Sequence, residues 1–144
     1  MSRSGYSDDC DGWALIRWRG AVNSAINGKR GQAFLRETLA ALDAMPEKRL
    51  VADSLHDQVV GQFCTLGAVG AARGIDMKPL EDMDHDAVAN AFDISEALAA
   101  EIMFENDEGS GYAFWYVNNS KSTTPEQRWQ HMRNWIAKHI KEQQ

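Results

Sequence analysis

The sequence has little cysteine and no long apolar run. Its 144 residues include two cysteines, Cys10 and Cys64, too few for the disulfide framework of a small secreted domain. No apolar stretch approaches the roughly 18 residues that a membrane span needs, and the first twelve residues lack the apolar core of a secretory signal. The sequence therefore predicts a cytoplasmic protein with reduced thiols and no membrane partner.

Motifs for cofactors and metals are also missing. The glycine-rich stretch at 61–74 has neither the Gly-Lys-Ser/Thr end of a Walker loop nor the G-x-G-x-x-G of a dinucleotide loop. Three aspartates within 82–86 imitate the start of a calcium loop, but Ala87 and Asp93 stand where that loop needs Gly and Glu. The cysteines and histidines have no paired spacing for zinc. We expect no metal and no cofactor.

The composition favours one mainly helical domain. Apolar residues make up 44% of the chain and charged residues 25%, the balance of a globular protein long enough to bury a core. We expect a single compact domain over residues 1–144, mainly α (α+β), with about five to six helices and a small β-hairpin. Helices are predicted at 8–27, 32–45 and 65–73, around 88–92, from 93–96 to about 105, and from Thr124 onward.

Turn and cap residues set the predicted boundaries. The Gly-Lys-Arg-Gly stretch at 28–31 is expected to join the first two helices. Two apolar runs at 50–55 and 59–64 flank the polar residues 56–58, which predicts a hairpin with its turn there. Further along the chain, the pattern of each of two helix starts predicts a capping box: Asp93 with Glu96, and Thr124 with Gln127.

The helix predicted at 65–73 carries its small residues on one face: Gly67, Ala68, Ala71 and Ala72. Such a face suits close approach of another element, and the last helix, with Trp129, is the expected neighbour. Cys64 is then expected to be buried at the end of the second hairpin strand. The alternative is a reactive thiol, since a helix start can lower a thiol pKa. That role needs a histidine base, and none of the four histidines lies in a recognisable catalytic setting.

Charge is distributed unevenly. The net charge is −6, but residues 51–110 contain thirteen acidic and two basic side chains, between mildly basic ends. The ends folding back on the middle would explain this, as would an acidic face for a basic partner. A nucleic-acid surface on the first helix hairpin is an alternative, although such binders are usually basic overall. Its candidate residues are Arg17, Arg19, Lys29 and Arg30.

Four aromatic residues cluster within five positions: Tyr112, Phe114, Trp115 and Tyr116. In a strand they would belong to the core. In a loop they would be rigid anchors of the kind that dominate protein interfaces. They are therefore the candidate interaction residues.

Several stretches resemble a known family. The opening MSRSGYSDDCDGWALIRWRGAV, GKRGQAFLRE, CTLGAVGAARGID and the closing TPEQRW–MRNW resemble short uncharacterised proteins of tailed bacteriophages and prophages. More distantly, C-x-L-G-A at 64–68, Asn106-Asp107 and Thr-Pro-Glu at 124–126 are similar to a bacterial domain of unknown function. The resemblance implies an accessory protein in a bacterial cytoplasm. It also implies that Cys64, Asn106 and Asp107 recur together.

These observations lead to one main hypothesis and two alternatives. The main one is a non-catalytic accessory protein that binds a host or phage protein, with modulation of host defence as one such role. The first alternative is a thiol-dependent enzyme or a small-ligand-binding protein centred on Cys64 with Asn106 and Asp107. The second is nucleic-acid binding through the basic N-terminal helix hairpin.

Overall fold

The computed structural model describes residues 12–81, 83–109 and 123–141, and this part of the chain is mainly helical. The α-helices are α1 (Gly12–Asn27), α2 (Lys29–Ala44), α3 (Thr65–Arg73), α4 (His85–Phe92), α5 (Glu96–Phe104) and α6 (Pro125–His139). A 3-10 turn at Lys78–Leu80 precedes α4, and a π-helical turn at Glu105–Gly109 continues α5. Strands β1 (His56–Asp57) and β2 (Gln62–Phe63) pair antiparallel. The predicted fold class, mainly α with a small β-hairpin, is confirmed.

The hairpin turn lies further along the chain than the sequence predicts. The pairs are His56 with Phe63 and Asp57 with Gln62, so the turn is at 58–61 and not at 56–58. The Asp57 carboxylate accepts a hydrogen bond from the Val59 amide at 3.0 Å, and Gly61 takes a positive φ of 67°. These two local features override the strand propensity of the valines.

A single residue, Gly28, separates α1 from α2. The predicted four-residue turn at 28–31 is wrong, because Lys29, Arg30 and Gly31 already belong to the first turn of α2. Gly31 permits this sharp change of direction, since a Cβ there would overlap the carbonyl oxygen of Ala25. Of the helix predicted at 8–27, the part from Gly12 is observed, and residues 8–11 lie outside the described residues.

The cap of α5 is Ser95 and not Asp93. The Ser95 hydroxyl accepts a hydrogen bond from the Leu98 amide at 3.1 Å, whereas Asp93 ends α4 with a positive φ of 57°. Glu96 is therefore the first residue of α5, where its carboxylate lies 2.7 Å from Nε2 of His85. Ser95 is the cap because its hydroxyl, two positions after Asp93, accepts a hydrogen bond from a free amide at the helix start.

The start of α6 follows the prediction. Thr124 and Gln127 form a reciprocal capping box: the Thr124 hydroxyl accepts from the Gln127 amide at 3.1 Å, and the Gln127 side chain accepts from the Thr124 amide at 3.0 Å. Pro125 occupies the first helical position, where its missing N–H removes no helical hydrogen bond. One face of α6 is buried through Trp129, Met132 and Ile136.

Helix α2 lies at the centre of the packing. It contacts α3 and α6 most extensively, while α5 packs on α1 and α4. The fully buried Leu35 and Leu42 of α2 belong to one apolar cluster with residues of every α-helix. The buried Gln32 joins three segments: its Nε2 donates to the carbonyls of Ile26 at 2.7 Å and His139 at 2.9 Å, and its Oε1 accepts from the Lys141 amide at 2.8 Å.

Candidate functional site

The small face of α3 is closed at one end and open at the other. Gly67 is buried, and a Cβ there would overlap the carbonyl oxygen of Leu55. That oxygen is held over the helix by the Cys64 amide, which donates to it at 3.1 Å. By contrast, Ala71 and Ala72 are exposed to solvent. The helix therefore uses only part of its small face for packing.

The prediction that the last helix covers this face is wrong. The backbone at Leu55 covers Gly67, whereas α6 packs against α2. The indole Nε1 of Trp129 donates to the carbonyl of Leu42 at 3.2 Å, and the Lys48 amine lies 5.4 Å from the centre of the Trp129 ring. Because Trp129 packs on α2, it does not cover Ala71 and Ala72 of α3, which stay exposed.

An open groove of about 650 Å³ runs between α2, α3 and the hairpin. Its walls are mostly methyl groups and short apolar side chains. The main contributors are Ala41, Ala44 and Met45 from α2 and Ala68, Ala71 and Ala72 from α3. Sequence reasoning identified the alanines of α3 but missed those of α2, although their spacing of three residues in "LAALDAM" places them on one helix face.

The hairpin adds exposed apolar side chains beside the groove. Val60 and Phe63 line it. Val60 is 56% exposed, and Val59 at the tip of the turn is 95% exposed. Exposed apolar side chains therefore lie beside a concave apolar surface. The groove and Val59 are named here the docking groove.

Charged residues near the docking groove are mostly paired with one another. Three ion pairs lie along α2 and the loop that follows it: Glu37 with Arg73, Asp43 with Arg133, and Arg49 with Glu126. The Glu37–Arg73 pair joins α2 to α3 through two hydrogen bonds of 2.6 and 2.7 Å. Hydrogen bonding to Arg73 lowers the pKa of the Glu37 carboxyl below its ordinary value.

Cys64 is buried, as predicted, with 1% of its surface exposed. It follows β2 directly and caps α3, because its Sγ accepts a hydrogen bond from the Gly67 amide at 3.3 Å. Within the described residues, the Cys64 side chain makes this one hydrogen bond, to the backbone. A thiol in this position has a structural contact and almost no surface exposed to solvent.

The structure brings Asn106 next to the start of α3. Its side-chain oxygen accepts from the amide and the hydroxyl of Thr65 at 3.0 and 2.8 Å. Its amide nitrogen donates to the carbonyl of Val51 and to Asp107, both at 2.9 Å. Asn106 is fully buried, and all its hydrogen-bonding capacity is used. Asp107 in turn accepts from the Asp53 amide at 3.0 Å.

Asn106, Thr65, Asp107 and the backbone of Val51 form one hydrogen-bonded cluster, named here the clamp. Its members differ from those of the predicted site. Cys64, Asn106 and Asp107 do lie in one region, but the partner of Asn106 is Thr65 and not the thiol. Sequence reasoning missed Thr65 because 41 residues separate it from Asn106, and no local pattern reports such a pair. The π-helical turn at Glu105–Gly109 inserts an extra residue into the helix, and Asn106 lies within it.

Half-buried charged groups surround the clamp. Nε2 of His131 lies 2.9 Å from a Glu105 oxygen. Arg128 donates to the carbonyl of Leu50 at 2.9 Å, and burial lowers the pKa of its guanidinium, against the opposing effect of Asp107 and Asp53. These contacts connect α6 to the clamp, and we find in them no nucleophile with an adjacent base.

The candidate nucleic-acid residues lie on α1 and α2, and two of the four contact carboxylates. Arg19 lies 3.0 Å from the buried Glu101, and Arg30 lies 3.5 Å from Asp93. Arg17 and Lys29 are exposed. A phosphate would therefore have to compete with a protein carboxylate for half of this surface, and nucleic-acid binding stays a prediction.

The aromatic cluster Tyr112, Phe114, Trp115 and Tyr116 lies outside the described residues. Among residues 12–81, 83–109 and 123–141, no group of three or more His, Cys, Asp or Glu side chains could hold a metal ion. In the same ranges, no helix is long and apolar enough to span a membrane. Comparison of the sequence with protein-family models, curated proteins and solved structures found no match.

Proposed function

We propose that this chain is a non-catalytic interaction protein that binds a partner protein through the docking groove. The phage and prophage resemblance supports a place for it in the cytoplasm of a bacterial host. The partner is then a host or phage protein, and modulation of a host defence is one outcome of such binding.

The observation that carries this proposal is the open apolar wall formed by Ala71 and Ala72 opposite the alanines of α2. A soluble monomer rarely leaves an apolar groove and a nearly fully exposed valine side by side unless something binds there. The burial of Cys64 supports the same conclusion, because the strongest candidate nucleophile is closed to substrates. The four aromatic residues at 112–116 remain candidate anchors for the same partner.

A photo-crosslinking amino acid at the groove tests this function. We would place it at Ala72 and, as a matched control, at Ala91, which is an exposed alanine of α4 outside the groove. Irradiation of infected cells should give a discrete protein adduct at position 72 that is absent at position 91. The same adducts at both positions, or none at position 72, would contradict the docking groove.

A substitution separates binding from folding. Ala72→Lys places a long charged side chain in the groove, yet it should change the free energy of unfolding by less than about 0.5 kcal/mol because the site is exposed. Capture of the crosslinked partner should be lost. Ala91→Lys is the control for the added charge, and it should keep both stability and capture.

A further inference from the structure

We propose that the docking groove receives the apolar face of a basic amphipathic helix from the partner protein. This proposal rests on the proposed function and specifies the occupant of the same groove. Three sets of contacts support it: the alanines of two helices, the hydrogen bonds along the hairpin edges, and the charges left unpaired beside the groove.

Two helices form the floor and offer only small side chains. On α2 the alanines are three residues apart, at Ala41 and Ala44, and on α3 the set Ala68, Ala71 and Ala72 follows the spacing of one helix face. Between these two faces lies the open groove of about 650 Å³. Small side chains bring helix axes to the shorter end of their packing distances. An entering helix can then supply the large apolar side chains.

An added β-strand, the other common way for a peptide to bind beside a hairpin, would have to displace existing hydrogen bonds on either edge. On the β1 side, the Glu81 carboxylate accepts hydrogen bonds from the amides of Leu55 at 3.3 Å and His56 at 2.8 Å. On the β2 side, the carbonyl of Phe63 accepts from the Val51 amide at 2.9 Å. Protein groups therefore already occupy backbone positions on each edge: the amides of Leu55 and His56 on one side and the carbonyl of Phe63 on the other.

The charges around the groove favour a basic helix. Glu47 and Arg49 both line the groove, but the charge of Arg49 is paired with Glu126 at 2.8 Å. Asp57 lies in the hairpin that forms the groove wall. Within the described residues, neither Glu47 nor Asp57 has an ion pair. The nearby Lys48 amine does not balance them freely, because it lies on the carbonyls of Asp43 at 2.6 Å and Met45 at 2.7 Å. With a net charge of −6, the whole protein also attracts a cationic partner at long range.

The test uses three synthetic peptides of about 18 residues, or five helical turns. The first has leucines on one helix face and lysines elsewhere. The second replaces the lysines with glutamates. The third keeps the leucine–lysine composition but alternates the two, so that its pattern is that of a strand. Binding to the full chain is measured by calorimetry and mapped by amide chemical shifts.

The first peptide should bind, and the largest shifts should fall at Ala44, Ala71 and Ala72. The Ala72→Lys variant should weaken its binding by about tenfold or more, which is about 1.4 kcal/mol, whereas Ala91→Lys should leave it within about twofold. Glu47→Gln should weaken it by about twofold at low salt and by less at high salt. The glutamate peptide should bind at least about tenfold more weakly.

Five outcomes would overturn the proposal. If the alternating peptide binds at the groove as tightly as the first peptide, the occupant need not be a helix. If the glutamate peptide binds as tightly as the first peptide, the occupant need not be basic. Unchanged binding of the first peptide to Ala72→Lys means that the acidic surface holds it, and not the groove. Self-association that buries Ala72 makes the occupant a second copy. A specific adduct at position 72 in cells, with no peptide binding at the groove, overturns the helix but keeps the proposed function.

Discussion

The two ends of α3 use small residues for opposite purposes. At its start, Cys64, Thr65 and Gly67 are buried, and each of them meets backbone or a buried side chain at short range. At its end, Ala71 and Ala72 meet solvent. Small side chains in one continuous stretch can therefore mean close packing or an open surface. Only the identity of the neighbouring segment distinguishes the two.

The largest expected effect is at the closed end. Gly67→Ala, and still more Gly67→Leu, should lower the free energy of unfolding by about 3 kcal/mol or more, at the upper end of overpacking costs. The reason is that the new Cβ meets the backbone oxygen of Leu55, which cannot rotate away. Urea denaturation measures the loss. Unchanged stability would mean that this end of α3 is as open as the other.

Gly20 is the matched control. It lies within α1, and a Cβ built there meets nothing within 4 Å. Gly20→Ala should therefore raise the free energy of unfolding by about 0.5–1 kcal/mol, because alanine loses less backbone entropy than glycine in a helix interior. Opposite signs at Gly20 and Gly67 would show that the crowding matters and not the glycine itself.

The next effect tests the clamp that holds the closed end. Asn106→Leu removes the partners of Thr65 and of the Val51 carbonyl, and should cost about 2–3 kcal/mol through buried groups left unsatisfied. Asn23, which is exposed on α1, provides the control Asn23→Leu, expected within about 0.5 kcal/mol. A double-mutant cycle with Thr65→Val should show coupling. Additive losses would mean that the contact does not anchor α3.

A smaller effect is expected at the cap. Cys64→Ala removes a capping sulfur and should cost about 1 kcal/mol, with the fold retained in circular dichroism. In the native protein, iodoacetamide should alkylate Cys64 more slowly than a free thiol, and denaturation should remove that difference. Fast alkylation of the native state would contradict the burial and would place the thiol-dependent enzyme ahead of the interaction protein.

The smallest effect concerns the ion pair at the open end. Because Arg73 lowers the folded-state pKa of Glu37, the pair stabilises the protein above the ordinary glutamate pKa of about 4.3, and this contribution is lost as the pH falls through the lower folded value. Its size should stay below about 1 kcal/mol because the pair is partly exposed.

Denaturation midpoints at neutral and acid pH measure this contribution. Glu37→Gln should lose less stability on acidification than the wild type. Equal slopes for the two proteins would mean that the ion pair does not hold α2 against α3 at the open end.

Local signals in the sequence predicted much of the fold. The capping box at Thr124 and the end of α3 at Arg73, after which Gly74 takes a positive φ of 73°, depend on residues within one or two turns of the helix end, so the sequence pattern contains the whole cause. Two other local predictions were wrong because a different nearby residue made the local contact. Ser95 capped α5 in place of Asp93, and the Asp57 carboxylate and Gly61 formed the hairpin turn further along the chain.

The candidate site was harder to predict because long-range contacts form it. The sequence singled out the small face of α3 and the burial of Cys64, but not that Leu55 covers Gly67. The pairing of Asn106 with Thr65 spans 41 residues, and the alanines of α2 join those of α3 only once the helices pack. A sequence pattern predicts which residues share one face of a helix, but the segment that packs on that face is determined by the tertiary fold.

The three hydrogen bonds of Gln32 bear on how the chain folds during synthesis. Two of them go to the backbone of His139 and Lys141, more than a hundred residues away. Until the ribosome has added residue 141, α2 has a buried polar side chain without its partners and an apolar face without α6. Domains fold as units, so we expect this unit to complete its folding only after that point. Chains stalled in between would be prone to aggregate through the uncovered face of α2.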